Sequence, residues 1–196
     1  MCMITDINQL DLTKQYSYAD YLTWQFKDRV ELIRGCISKM SPAPSSFHQI
    51  VSGNIFADIH NYLRKKECKV FDAPFDVRLI NSKKSTPDNI VYTVVQPDIC
   101  IICDNNKIDE RGCVGAPDVV IEIISKGNTK HELETKFALY EEAGVLEYWI
   151  VGLGDETTTV FDLKDGKYQF RKIYSNDDKV PVGIFEDFGV DMKEVF

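Results

Sequence analysis

Ala116-Pro117-Asp118-Val119-Val120-Ile121-Glu122-Ile123-Ile124-Ser125 is the stretch on which the fold turns. Every residue from Val119 to Ile124 except Glu122 is apolar and β-branched, as in a central strand covered on both faces. Pro117–Ser125 therefore predicts a buried strand with one carboxylate at its centre. Burying that charge alone costs on the order of several kcal/mol, so something must compensate it. Two partners would serve: a buried basic side chain, or a metal ion.

Upstream, Gln96-Pro97-Asp98 leads into Ile99-Cys100-Ile101-Ile102, part of a strand expected from about Val94 to Cys103. If the two strands pair, Asp98 and Glu122 converge on one hard cation through oxygen ligands. Taken alone, Asp98 also fits a residue capping a turn at a strand start. Pro-Asp recurs at Pro87-Asp88 and Pro117-Asp118. Asp88 reads as a turn residue in the polar loop Asn81–Asn89. Asp118 shares a strand face with Glu122, but four extended residues separate them by roughly 13 Å, too far to share a metal.

Downstream, Thr129–Ala143 predicts a helix that Gly144 stops in the left-handed conformation. Glu132, Lys136 and Tyr140 fall on one face of it, with Leu139 and Ala143 nearby. Thr129-x-x-Glu132 has the spacing of a capping box, which gives Glu132 a structural role. Lys136 fits either an exposed ion pair with Glu132 or a cation turned toward the apolar interior.

The remaining chain alternates strand-like and helical patterns. Residues 1–15 form a loose lead-in, and Ser17 caps a short helix expected to reach about Phe26. Arg29–Ile33 and Cys36–Met40 read as a hairpin about Arg34-Gly35, and Met40–Pro44 as a non-helical break. Phe47, Val51, Ile55, Ile59 and Tyr62 recur at helical spacing. Lys69–Ile80 reads as a strand, Asp104–Gly115 as a charged loop and Leu146–Val151 as a buried strand. Thr157–Leu163 and Lys167–Tyr174 form a hairpin about Asp165-Gly166. The tail from Asn176 is acidic and irregular. This order predicts one α/β (α+β) domain over residues 1–196, a central mixed sheet flanked by helices with additional hairpins toward each end.

With 196 residues, 44% of them hydrophobic, the chain can fill one core. No apolar run is long enough for a membrane span, and the N-terminus lacks a secretory pattern. The six cysteines form no metal or redox motif; Cys100 and Cys103 bracket an apolar strand. They read as buried free thiols, which implies the cytoplasm. The net charge of −8 is low for a nucleic-acid binder. Local basic clusters stand at Arg64-Lys65-Lys66 and Lys83-Lys84, with pairs at Lys126/Lys130 and Arg171/Lys172.

Taken in order, several blocks resemble the Uma-type restriction endonucleases of the PD-(D/E)-x-K nuclease superfamily. They are Arg29-Val-Glu31-Leu-Ile-Arg-Gly35, Ser41-Pro-Ala-Pro44 with His48, Gln96-Pro-Asp98, and Ala116 to Ser125. Glu132-x3-Lys136-x3-Tyr140 and Gly144-Val-Leu-Glu-Tyr-Trp149-Ile-Val151 complete the set. The resemblance spans about Tyr18 to Leu163 and implies a restriction-endonuclease-like fold and Mg²⁺-dependent hydrolysis of DNA, with Mn²⁺ as a substitute, by a homodimer. It implies Asp98, Glu122 and the Ile123 carbonyl as metal ligands and Lys136 as the catalytic lysine. The usual lysine two residues after the glutamate is replaced by Ile124. It adds Glu31 to the catalytic set, with His48, Ser125 and Tyr140 lining the site. Lys126, four residues after Glu122, competes with Lys136 for the lysine's role. Two other functions remain open to the sequence: a nuclease-fold protein that binds without cutting, and a metal-dependent hydrolase of small phosphoesters.

Overall fold

A computed structural model describes residues 4–40, 43–80, 88–125 and 130–196, with the backbone alone described at Asn89. Ser17 caps α1 (Tyr18–Tyr21) in a capping box with Asp20. The helix ends at Tyr21, short of the expected Phe26. The Thr23 hydroxyl takes the Asp20 carbonyl at 2.7 Å, and Tyr21, Trp24 and Phe26 gather into an aromatic cluster instead of continuing a helical face. β1 (Val30–Ile33) and β2 (Cys36–Lys39) form the expected hairpin. Arg34 and Gly35 at its turn have φ of 50° and 83°, the mirror-image turn that suits strand twist.

Ser45 then caps α2 (Ser46–Leu63), whose side chains Val51, Ile55, Ile59 and Leu63 are buried along one stripe. The segment expected as one strand over Lys69–Ile80 divides into β3 (Lys69–Asp72) and β4 (Val77–Arg78). Pro74 has no amide hydrogen to extend a ladder. The strand expected over Val94–Cys103 divides likewise at Pro97, into β5 (Val94–Val95) and β6 (Ile99–Ile102). The supposed loop Asp104–Gly115 contains β7 (Ile108–Asp109) and β8 (Gly112–Val114). Its charges are not all solvated: Arg78, 3% exposed, meets Asp109 at 2.5 Å. Gly112 has φ of 128°, and a Cβ there would lie 2.1 Å from the Asp76 carbonyl oxygen, so only glycine lets β8 approach β4.

β9 (Val119–Ile124), α3 (Lys130–Ala143) and β10 (Glu147–Gly152) follow as a crossover unit. Gly144, at φ of 91°, closes α3 as its position predicts. β11 (Thr157–Lys164) and β12 (Lys167–Tyr174) make the second long hairpin, and β13 (Lys179–Pro181) pairs with β14 (Gly189–Asp191).

The main sheet runs β12-β11-β10-β9-β6-β3, with β9 central, parallel to β10 and antiparallel to β6. A second sheet runs β2-β1-β5-β4-β8-β7, so the N-terminal hairpin is one edge of a larger structure. The chain passes between the two sheets at residues 73–76 and again at 96–98. That places Asp98 on the seam. Alternation along β9 sends Val119, Ile121 and Ile123 toward α2, and Val120, Glu122 and Ile124 toward α3 and the second sheet. The tail is also less loose than its composition suggests. Val180, Val182, Val190, Met192 and Val195 are buried and complete the core under α2.

The cysteines need correcting. Cys68 and Cys103 form a disulfide, with their Cα atoms 3.9 Å apart. The register Lys69↔Ile102 between β3 and β6 brings the next pair, 68 and 103, face to face. Cys100 and Cys113 are buried free thiols, while Cys36 is free but exposed. Cys2 lies outside the described residues, as do Lys83, Lys84, Thr129 and Lys126. No helix among the described residues is long and apolar enough to cross a membrane.

Candidate active site

Ile99 pairs with Ile121 across β6 and β9, so Asp98 stands beside Glu122 at the next position of the ladder. The Asp98 carboxylate accepts the Ile123 amide at 2.8 Å, which pins it at the seam through Oδ2. Asp98 and Glu122 thus take neighbouring positions at the mouth of the sheet, as the expected pairing of these strands requires.

Glu122 is 7% exposed and has cationic and hydroxyl partners. The Lys136 ammonium lies 2.8 Å from its Oε1, and the Tyr140 hydroxyl donates to the same oxygen at 2.6 Å. Both donors come from successive turns of α3, the i and i+4 positions that share one face. Of the two settings open to Lys136, the structure adopts the interior one. Glu132 lines the same groove as Lys136; the capping box proposed for it rests on Thr129, outside the described residues.

Glu31, on β1 and 5% exposed, approaches from the second sheet. Its Oε1 lies 3.1 Å from Lys136 Nζ and accepts the Gln96 amide at 2.9 Å. Lys136 therefore bridges a carboxylate of each sheet. A hairpin glutamate looks ordinary in sequence; the resemblance singled Glu31 out, and the packing of the sheets brings it to Lys136. From α2, the His48 Nε2–H faces the Ile123 carbonyl at 3.2 Å and Asp98 Oδ2 at 3.4 Å.

Burial pushes the Glu122 carboxyl up to about 7, with Lys136 opposing the rise and Asp98 and Glu31 adding to it. Burial pulls Lys136 the other way, but Glu122 and Glu31 more than reverse it, so the ammonium stays protonated above its ordinary value. Burial, then Glu122 and Glu31, hold the Tyr140 phenol neutral. The bond to Asp98 raises His48 against the opposing effect of burial.

Glu31, His48, Asp98, Glu122 and Lys136 line a groove of about 630 Å³, whose wall also includes Ser125, the α3 N-terminal turn, Arg29 and Lys39. Tyr140, expected to line the site, is instead fully buried behind Glu122. Among the described residues no cluster of three or more His, Cys, Asp or Glu side chains is set for a metal. The oxygen donors of Asp98, Glu122 and the Ile123 carbonyl still suit Mg²⁺, which takes one or two carboxylates and completes its shell with water and substrate phosphate. Two of them, Asp98 Oδ2 and the Ile123 carbonyl, already converge on one hydrogen donor, His48.

Sequence reasoning did not foresee the support behind Glu31. Gln96 Nε2 donates to Asp76 at 2.8 Å and to the Tyr21 hydroxyl at 3.3 Å, while its Oε1 accepts from Arg29. Gln96 lies two residues before Asp98, and that spacing is the one signal that could have pointed to it. Asp76 and Tyr21 offered none.

Comparison with known proteins bears on the family and the fold. Residues 18–193 match the sequence model of the Uma2 family, described as "Putative restriction endonuclease". The uncharacterized protein slr1290 of Synechocystis sp. is 23% identical over 146 residues, 74% of this chain and 70% of that one. The crystal structure of a "putative nuclease belonging to DUF820" from Anabaena variabilis superposes with a TM-score of 0.69 at 17% identity. It covers 92% of this chain and 97% of its own, a match of fold.

Proposed function

The chain belongs to the Uma2 family, and from that premise we propose that it is a Mg²⁺-dependent endonuclease hydrolysing DNA phosphodiester bonds at Asp98, Glu122, Lys136 and Glu31. The observation that carries the reading is the position of Lys136, 2.8 Å from Glu122 and 3.1 Å from Glu31. A lysine arriving from the following helix takes the place left by Ile124, two residues beyond the glutamate. Asp98, Glu122 and the Ile123 carbonyl would hold the metal. When bound it supplies Lewis-acid polarisation of the phosphate and a more acidic water.

The chain's own groups do the rest. An ammonium has three donors, and Lys136 uses them toward Glu122 and Glu31 with one left for an attacking water or a phosphate oxygen. Its charge stabilises negative charge growing on the phosphoryl oxygens, where the low-dielectric wall strengthens the interaction. Tyr140 and Glu31 keep Lys136 and Glu122 from rotating away. Asp98, fixed by the Ile123 amide, presents its carboxylate to the groove. His48 keeps the Ile123 carbonyl facing the same point.

The reading extends to a homodimer acting on duplex DNA in the cytoplasm. The Cys68–Cys103 pair is the observation that weighs against a fully reducing setting.

Plasmid nicking by purified protein with Mg²⁺ or Mn²⁺ tests the proposal. Wild type should nick, and Lys136→Ala should lose about a hundredfold or more in rate, the scale of removing a positioned electrostatic group. Wild type silent on supercoiled, linear and single-stranded DNA, yet able to bind it, would make this a nuclease-fold binding protein instead.

A further inference from the structure

Arg29 sits at the lip of the groove, two residues before Glu31 on the same side of the extended chain. Its carbonyl accepts the Met40 amide at 3.0 Å, so the β1–β2 ladder anchors the backbone beneath it. The side chain is exposed yet held: Nε and Nη2 both donate to Gln96 Oε1, at 3.1 and 2.6 Å. Gln96 cannot turn to present its nitrogen instead. Its Nε2 is committed to Asp76 and the Tyr21 hydroxyl.

The holder is a neutral amide, which sets Arg29 apart. Arg34 meets Glu142, Arg78 meets Asp109, Arg111 meets Asp88, and Arg171 meets Asp162 and Glu147. Among the described residues no carboxylate pairs with Arg29. A guanidinium has five N–H donors, and the bonds to Gln96 use two, leaving three on a rigid fork that matches two phosphate oxygens. Orientation without neutralisation is what binding an anion requires, because the charge stays available and little rotamer entropy remains to be lost. In a chain of net charge −8, an unneutralised arginine fixed at the groove is conspicuous. Gln96 and Asp98 are two residues apart, so Arg29 stands beside the carboxylates, not on them.

We infer that Arg29 is a phosphate-binding residue, gripping a backbone phosphate next to the one that is cut, with Gln96 as its positioning residue. The inference rests on the nuclease reading above and names a contact through which that site holds its substrate.

Fluorescence anisotropy of a labelled DNA duplex, in chelator and across a salt series, tests it alongside plasmid nicking. Arg29→Gln should weaken binding about tenfold at low salt and reduce the slope of log affinity against log salt by about one. A purely structural role would not move that slope. Arg29→Lys should restore the slope but only part of the affinity, because a point charge lacks the fork. Arg64→Gln, a charge-matched control roughly 24 Å along α2 from His48, should leave both unchanged. Equal binding and slope in Arg29→Gln and wild type, with nicking intact, overturns the Arg29 assignment and spares the nuclease reading. An equal loss in Arg64→Gln overturns it too, since the effect would then be bulk charge. Wild type that neither binds nor nicks DNA removes the nuclease reading, and this assignment with it.

Discussion

Replacing Glu122 by Gln in the metal-free protein should change how stability depends on pH. Glu122 is 7% exposed, and burial raises its carboxyl from the ordinary 4.5 to about 7. Below pH 4.5 the carboxyl is protonated in both folded and unfolded chains and contributes nothing to the pH dependence. Between 4.5 and 7 the folded state keeps the proton while the unfolded state loses it, so stability falls as pH rises. Above 7 both are ionised and the loss is complete. At 1.36 kcal/mol per unit the loss is about 3 kcal/mol, or roughly 6–12 °C in Tm for a chain of this length. His48, raised by Asp98, loses stability in the same direction from its ordinary value upward. Subtracting the Glu122→Gln curve removes what does not depend on Glu122. The assay is urea unfolding of both proteins in chelator at half-unit steps from pH 4 to 9. The difference should decline through the interval and level off above it. A flat difference would mean that Lys136 cancels the effect of burial, and the account of a raised Glu122 carboxyl would fail.

Three other outcomes follow from the same geometry. Lys136→Ala leaves Glu122 and Glu31 facing each other without a cation and should cost about 3–5 kcal/mol, read by denaturant midpoint at pH 8. Glu147, 2% exposed, accepts from Trp149 and Gly183 and pairs with Arg171. Glu147→Ala should cost about 3–5 kcal/mol by stranding those groups, and limited proteolysis should then open the chain after Tyr174 first. Alkylation before digestion should recover Cys68 and Cys103 in one linked peptide. Reductant should then destabilise the chain by up to about 4 kcal/mol, the loop-closure value for their separation of 35 residues. Two separately alkylated peptides from freshly purified protein would refute the pairing.

Much of the site is already local information. An apolar run with a single carboxylate marks β9 and Glu122, helical spacing aligns Lys136 with Tyr140, and Arg34-Gly35 and Asp165-Gly166 place both long hairpins, because each signal depends only on near neighbours in the chain. Glu31 and His48 carry no such signal, and the resemblance to other chains brought them forward.

Only the tertiary structure decided the rest, because strand pairing and burial depend on partners far away in sequence. It sent the segments on either side of Pro74 and Pro97 to different sheets, leaving Asp98 on the seam. It set β3 against β6 in the register that joins Cys68 to Cys103, and packed an acidic tail beneath α2. It also chose the partner of Lys136. A lysine four residues from Glu132 can always pair with it along a helix, but the adjoining sheets bring two buried carboxylates closer to compensation. Burial makes each of them far more costly to leave unpaired than an exposed glutamate.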